Sequence, residues 1–376
     1  MNQSLRVRTR AVPDSAKPVI ATVASWQDAR LDLTAAADIH KGLGADFTSH
    51  LIQLHEPDVT PTPGQAAYQF VRTASDVQDQ LEALFRSLRP DIVHTHRAQD
   101  FEIVAAAARR AGVPDLVHCL EATGRMSPSA DDRRHQLHLR EAAALIVVPT
   151  SDVPTDAWTG ARLCTIAPGI DHGRFHPGDA GRARRKVGLP SGPRIVGCGS
   201  PAQNLDPLIQ AMFHLPPDIH LALFGPAVPT PDQRQRIRRL GLDERIHVLG
   251  PWAEPHLIYR AIDVYFHGPG RSPFPRQVLA AQAVGKPVVA TWPTREEVLC
   301  PTGAHLLPTL FVPSMTSTIQ RAIMSCHHDS IRQFVERRWG AGPMIDAYRD
   351  LFLAVTAASA GNGRILANGT EGATRV

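Results

Sequence analysis

Apolar residues in this chain come in short, nearly unbroken runs, separated by longer stretches where they recur every three or four positions. The first run, VIATVAS at 19–25, is followed by a helical pattern over 31–43 that stops at Gly44, then by a second run at 49–54. Runs of four to eight apolar residues are the pattern of strands buried on both faces, and the three-to-four spacing is that of a helix with one buried stripe. After a proline-rich loop (Pro57, Pro61, Pro63), a helix is expected over 66–88. Phe70, Val77, Leu81, Leu84 and Phe85 form its apolar stripe, and Arg89-Pro90 ends it. A strand at 91–96, a helix at 100–111 and strands in LVHCLE and ALIVVP continue the alternation.

The second half starts the theme again. RIVGCG at 194–199, HLALFG at 220–225, RIHVLG at 245–250, DVYFHG at 263–268 and PVVAT at 287–291 read as strands. Helices are expected between them at 204–215, 231–240, 255–261 and 276–284. Strands that are apolar along their length, each followed by a helix, make a parallel sheet covered on both faces. Two such series give an α/β fold of two Rossmann-like domains in tandem. The expected division is a flexible arm at 1–18, a first domain at 19–168, a second at 169–342, a helix at 343–360 and a structureless, glycine-rich tail at 361–376.

A length of 376 residues, 43% of them hydrophobic and 20% charged, suits two soluble domains. No apolar run approaches the roughly 18 residues of a membrane span. The first eighteen residues are polar and basic, without the apolar centre of a signal peptide. The formal charge of +4 is too small to argue for a nucleic-acid partner. Arginine clusters at 109–110 and 182–186 read as solvated helix faces, or as a weak attraction to an anionic membrane surface. Five scattered cysteines without a CxxC pair suit a reduced, cytoplasmic compartment. The 18 histidines show no metal-binding spacing, so no metal is expected.

Four motifs narrow the reading. IAPGIDHGRFHP at 166–177, DIVHTH at 91–96, GLDERIHVLGPW at 241–252 and GKPVVA at 285–290 occur in that relation to the strands and helices. Together they resemble glycosyltransferase family four, over nearly the whole chain and most strongly from 166 to 290. The resemblance implies the GT-B fold, in which two Rossmann-like domains face each other across a cleft. The donor, a nucleotide-sugar, would bind the C-terminal domain, and a glycan or lipid-linked acceptor the N-terminal one. The terminal helix would cross back to the first domain. Such enzymes need neither cofactor nor metal and retain the anomeric configuration.

The resemblance also marks losses. Its paired glutamates fall on Ser272 and Ala280, and its phosphate-binding Arg and Lys fall on Cys198 and Gln203. A carboxylate accepts two charge-assisted hydrogen bonds at once, and an alanine accepts none. What remains for the donor is the turn with Gly197, Gly199 and Ser200, then Gln203, Asn204, Gly225, Trp252, Arg271, Ser272, Phe274, Arg276 and Glu297. Arg295 is a further candidate cation, and a glycine-rich turn after a strand is also an ordinary turn. Trp252 is the residue placed to stack on a base, or to pack in the core. Glu121 stands where the family carries a sugar-contacting histidine and is the candidate acid or base. His94 and His96 alternate along one strand, as packing residues or as acceptor contacts. Two functions stay open: a transferase with a remodelled donor site, peripheral at the inner face of the membrane, or an inactive GT-B scaffold that binds or regulates a partner in a polysaccharide or glycolipid pathway.

Overall fold

The computed structural model describes residues 17–25, 30–55, 68–71, 74–95, 98–120, 142–147, 162–199, 205–225, 227–249, 254–269, 275–292, 294–325 and 327–368. The first half contains β1 (Val19–Ser25), α1 (Arg30–Gly42), β2 (Thr48–His55), β3 (Tyr68–Val71), α2 (Val77–Leu88), β4 (Ile92–Thr95), α3 (Ala98–Ala111), β5 (Asp115–Leu120), β6 (Ala144–Val147) and β7 (Arg162–Thr165). These strands form one parallel sheet in the order β3-β2-β1-β4-β5-β6-β7. Alternate residues of each strand face opposite cores. Ala21, Val23 and Val93 pack under α2 and α3, whereas Ile20 and Ile92 join a core completed by α1 and by a helix from the end of the chain.

The second half repeats the winding. It contains α4 (Ala180–Val187), β8 (Arg194–Cys198), α5 (Leu205–His214), β9 (Ile219–Leu223), α6 (Pro231–Arg239), β10 (Ile246–Val248), α7 (Pro255–Ala261), β11 (Val264–His267), α8 (Arg276–Ala283), β12 (Val288–Thr291), β13 (Ala304–Leu307), α9 (Val312–Ile323) and α10 (His328–Arg338). Its sheet runs β10-β9-β8-β11-β12-β13, again all parallel. Both sheets therefore reverse their winding at one place, between β1 and β4 in the first and between β8 and β11 in the second. No helix among the described residues is long and apolar enough to cross a membrane.

Two expectations change here. The helix expected over 66–88 divides into β3 and α2. Tyr68-Gln69-Phe70-Val71 pairs with β2, and Phe70 reaches the core from a strand rather than from a helical stripe. Aromatic and β-branched residues suit such an edge, and a turn closed by Val77 N–H to Ala74 O then starts α2. The arginine cluster at 182–186 is not wholly solvated. Arg184 is buried, donating to the carbonyls of Ala261, Ser191 and Pro193 and pairing with Asp263 at 2.6 Å. Asp263 also accepts from Ile195 N–H, so this pair anchors α4 to the start of β8 and β11.

The chain crosses between the sheets twice. The first crossing, after β7, holds Gly169 and Ile170; the second leads into α11 (Ala341–Asn368). The two are bonded to each other: Ile170 N–H donates to Trp339 O at 2.8 Å and Ala341 N–H to Ile170 O at 3.0 Å. A Cβ at Gly169 would stand 2.5 Å from Gly340 O, so the close approach requires glycine. α11 then lies on the first sheet, where Met344, Tyr348, Leu351, Phe352 and Val355 are buried. Arg349 ties it to the α1–β2 turn through Asp46 at 2.8 Å and Gly42 O at 3.3 Å. The helix is longer than expected: it enters the stretch read as a tail and ends at Asn368, with 369–376 outside the described residues.

Phe352 is fully buried and its neighbour Leu353 is 43% exposed. Phe352→Ala is expected to lower the unfolding free energy by about 3–5 kcal/mol. Leu353→Ala should stay within about 0.5 kcal/mol of the parent. Denaturant titration of both variants measures the difference; equal effects would mean that α11 does not complete the first core.

Candidate functional site

In open parallel sheets, ligands bind beyond the C-terminal strand ends, at the reversal of winding. In the second sheet that place is formed by the ends of β8 and β11, with β12 beside them. Side-chain hydrogen bonds tie these three ends together. The Gly199 N–H donates to the Tyr265 hydroxyl, which lies 3.4 Å from His267 Nδ1. Thr291 Oγ–H in turn donates to His267 O at 3.2 Å. Tyr265 and His267 are adjacent on one face of β11 because strand side chains alternate. Burial pushes the Tyr265 phenol well up and brings the His267 imidazole down to about 4. Both groups are therefore neutral at pH 7, and the phenol and Nδ1 share one proton between them.

The two glycines of this turn have structural reasons. A Cβ at Gly197 would stand 2.6 Å from the Ile262 side chain, and one at Gly199 3.0 Å from the Phe224 ring. β8 is an inner strand paired on both sides, so its N–H groups through Cys198 belong to the sheet. The Gly199 N–H is turned to the buried Tyr265 hydroxyl and not outward to a ligand. That revises the expectation that Gly197 and Gly199 themselves cradle a phosphate. Gly225 ends β9 with φ of +61°, a conformation that favours glycine, and no neighbour lies within 4 Å of its Cβ direction.

Positive charge at this edge comes from Arg276, the first residue of α8. The helix N-terminus adds a partial positive charge of its own. Arg276 is 9% exposed, and its guanidinium reaches across to the first domain, with Nη1 3.6 Å from Met344 Sδ of α11. It acts electrostatically on Asp38 of α1 and on Tyr348 of α11. Burial pushes the Asp38 carboxyl up to about 6, while Arg276 and then Arg174 of the crossing pull it back. Asp38 Oδ2 is buried and accepts no hydrogen bond. The cleft floor thus carries a cation from one side and, from the other, a carboxyl that burial holds above its ordinary range.

The remaining candidates separate. His94 is wholly buried, its ring 5.3 Å from those of both Tyr348 and Phe352, with Nδ1 3.5 Å from Thr22 Oγ1. It packs under α11, and the acceptor role is withdrawn. Glu297 is exposed on a 3-10 turn, and its carboxylate lies 3.8 Å from Arg295 Nε, which is also exposed. Cys198 and Ala280, which stand where the family carries charge, are fully buried in apolar clusters. His96, Glu121, Ser200, Gln203, Asn204, Trp252, Arg271, Ser272 and Phe274 lie outside the described residues. Sequence reasoning missed Asp38, Tyr265, His267 and Thr291. The available signal was polar groups inside apolar patterns: a carboxylate among Ala35, Ala36 and Ile39, and an alternating Tyr and His on the strand at the reversal.

Two family models match the chain: "Glycosyl transferases group 1" over 192–325 and "Glycosyl transferase 4-like" over 63–141. Over these two segments the chain is similar to glycosyltransferases, the second-half segment to those of group 1. Its GT-B fold is shared with Anabaena HepE, solved in complex with UDP-glucose (TM-score 0.71, 18% identity, 89% of this chain and 99% of that one). Sucrose-phosphate synthase from Thermosynechococcus elongatus also superimposes (TM-score 0.67, 17% identity, 91% of this chain and 100% of that one). Among curated proteins, D-inositol 3-phosphate glycosyltransferase of Mycolicibacterium gilvum is 32% identical over 224 residues, 53% of this chain and 50% of that protein. The corresponding protein of Actinosynnema mirum is 31% identical over 232 residues, 53% of this chain and 55% of that protein. The chain thus spans about half the length of the curated relatives it matches.

Asp38 gives a pH test. Its folded value of about 6 lies above the ordinary 3.8, so the folded state holds the proton more tightly than the unfolded state. Stability from this group is present below pH 4, falls as pH rises towards 6 and is lost above it. Asp38→Asn is expected to raise the unfolding free energy at pH 7.5 by about 1–3 kcal/mol, with little effect near pH 4.5. Guanidinium titrations at the two pH values measure this; a variant less stable at pH 7.5 would contradict it.

Proposed function

We propose that this chain is a group 1 glycosyltransferase that moves a sugar from a nucleoside diphosphate to a hydroxyl of a polyhydroxylated acceptor, with retention and without a metal. One observation carries the reading. A buried arginine at the N-terminus of α8 stands beyond the strand ends, facing the first domain across the cleft. The departing diphosphate gains negative charge as the glycosidic bond breaks, and a fixed cation with a helix N-terminus stabilises that charge. The network of Gly199, Tyr265, His267 and Thr291 holds the edge rigid, so little reorganisation is needed as charge develops. The relatives named for UDP-glucose and for D-inositol 3-phosphate support a nucleotide-sugar donor and a polyol acceptor.

A second reading has its own support. Cys198 and Ala280 are buried and uncharged, and Arg295 has the Glu297 carboxylate 3.8 Å away. Each missing charged hydrogen bond removes about 1.5–3 kcal/mol, enough in combination to leave a scaffold without useful donor affinity.

Calorimetry against UDP-, GDP- and ADP-sugars separates the two. One nucleotide class is expected to bind at micromolar to submillimolar Kd, unchanged by EDTA. Arg276→Gln should weaken that binding by about 10- to 100-fold. No binding across the panel would establish the scaffold and remove the transferase reading.

A further inference from the structure

The loop after β12 carries two features that the donor reading does not yet use. Trp292 follows the last strand residue directly and is 73% exposed, although an indole is usually largely buried. Two residues on, Thr294 is 4% exposed and its buried Oγ1 makes no hydrogen bond, an arrangement that costs free energy until a partner arrives. The loop is held in place. Thr291 Oγ–H is tied to His267 O, and Thr294 N–H donates to Thr291 O at 3.1 Å, closing a turn with Trp292 at its first central position. The indole is thus displayed at the ligand-binding edge of the sheet, between two hydrogen-bonded threonines.

Register gives its distance from the reversal point. Phe266 pairs with Cys198 on one side and with Val289 on the other, so Gly199 and Ala290 stand at one level. Trp292 is two strands across and two residues beyond. At roughly 4.8 Å per strand and 3.3 Å per residue, its Cα lies about 12 Å from that of Gly199. An indole spans about half of that gap. A diphosphate over β8 and β11 has its two ends leaving in opposite directions. The segment expected to face the base, with Trp252, follows β10 on the other side of the sheet. The end passing over β12 is the sugar.

We propose that Trp292 is the platform for the donor sugar, its indole face lying against the C–H face of the pyranose ring. This rests on the nucleotide-sugar reading given above and assigns the ring recognition within it. Stacking needs no carboxylate, which suits a chain with Ser272 where the resembling family carries its sugar-side glutamate. The ring's hydroxyl edge then lies towards Thr294, whose unbonded Oγ1 supplies a neutral donor or acceptor.

The test compares calorimetric affinities of a nucleoside diphosphate and its sugar conjugate, for wild type, Trp292→Ala and Trp292→Phe. Wild type is expected to bind the conjugate more tightly than the diphosphate. Trp292→Ala should lose ~3- to 10-fold for the conjugate and nothing for the diphosphate, while Trp292→Phe keeps most of the increment. Since Trp292 is exposed, an unchanged melting temperature is expected to accompany these results. An Ala variant that weakens both ligands equally, or neither, overturns the platform while leaving nucleotide binding intact. A wild type that binds no nucleotide at all overturns the parent reading and this one with it.

Discussion

The cleft depends on one constraint: the two places where the chain passes between the sheets are bonded to each other. Ile170 and the segment from Trp339 to Ala341 exchange backbone hydrogen bonds, and Gly169 sits against Gly340 with no room for a side chain. A single crossing would let the two sheets swing about one loop. Two crossings joined side by side remove most of that freedom, leaving the axis through the joined segments as the natural hinge. Arg260 extends the clamp into the second domain by donating to the carbonyls of Arg174 and His176.

The electrostatics of the cleft follow from that clamp. Because the crossings are fixed, α1, α8 and α11 meet over a small area, and Arg276, Asp38 and Met344 come together there. None of the three is close to another in sequence. Arg276 would be an ordinary exposed cation on an isolated helix; against the first domain it becomes a buried charge whose field reaches Asp38 and Tyr348. A buried charge of this kind is strongly felt by any anion brought near it, because little water screens it.

The fold was legible in the sequence wherever a strand is buried on both faces. Such strands announce themselves by unbroken apolar runs, and β1, β8, β11 and β12 stand within a residue or two of their expected places. β3 was not legible, because Phe70 happens to fall in step with the helical stripe that starts at Val77. The site was less legible still. Sequence marks residue types, so the losses at Cys198 and Ala280 were visible against the motif of the family that the chain resembles. It does not mark which amide a phenol occupies, so the use of Gly199 by Tyr265 was hidden. Nor does it mark what meets across a gap between domains, which is why Asp38 passed as one more residue of α1 and His94 as a possible contact for the acceptor.

α11 has a consequence for synthesis. The first sheet is complete in sequence by Thr165, yet one of its faces is covered by Met344, Tyr348, Phe352 and Val355. While the chain is being made, that face is covered by α1 alone until nearly all of the second half has emerged. Domains usually fold in the order in which they leave the ribosome. Here the order is partly reversed: the second domain can close on its own residues first, and the earlier one must wait for the last helix. The growing chain therefore carries a partly uncovered apolar surface for about half of its translation, and anything that holds such surfaces apart from one another in the cell has its moment of use then.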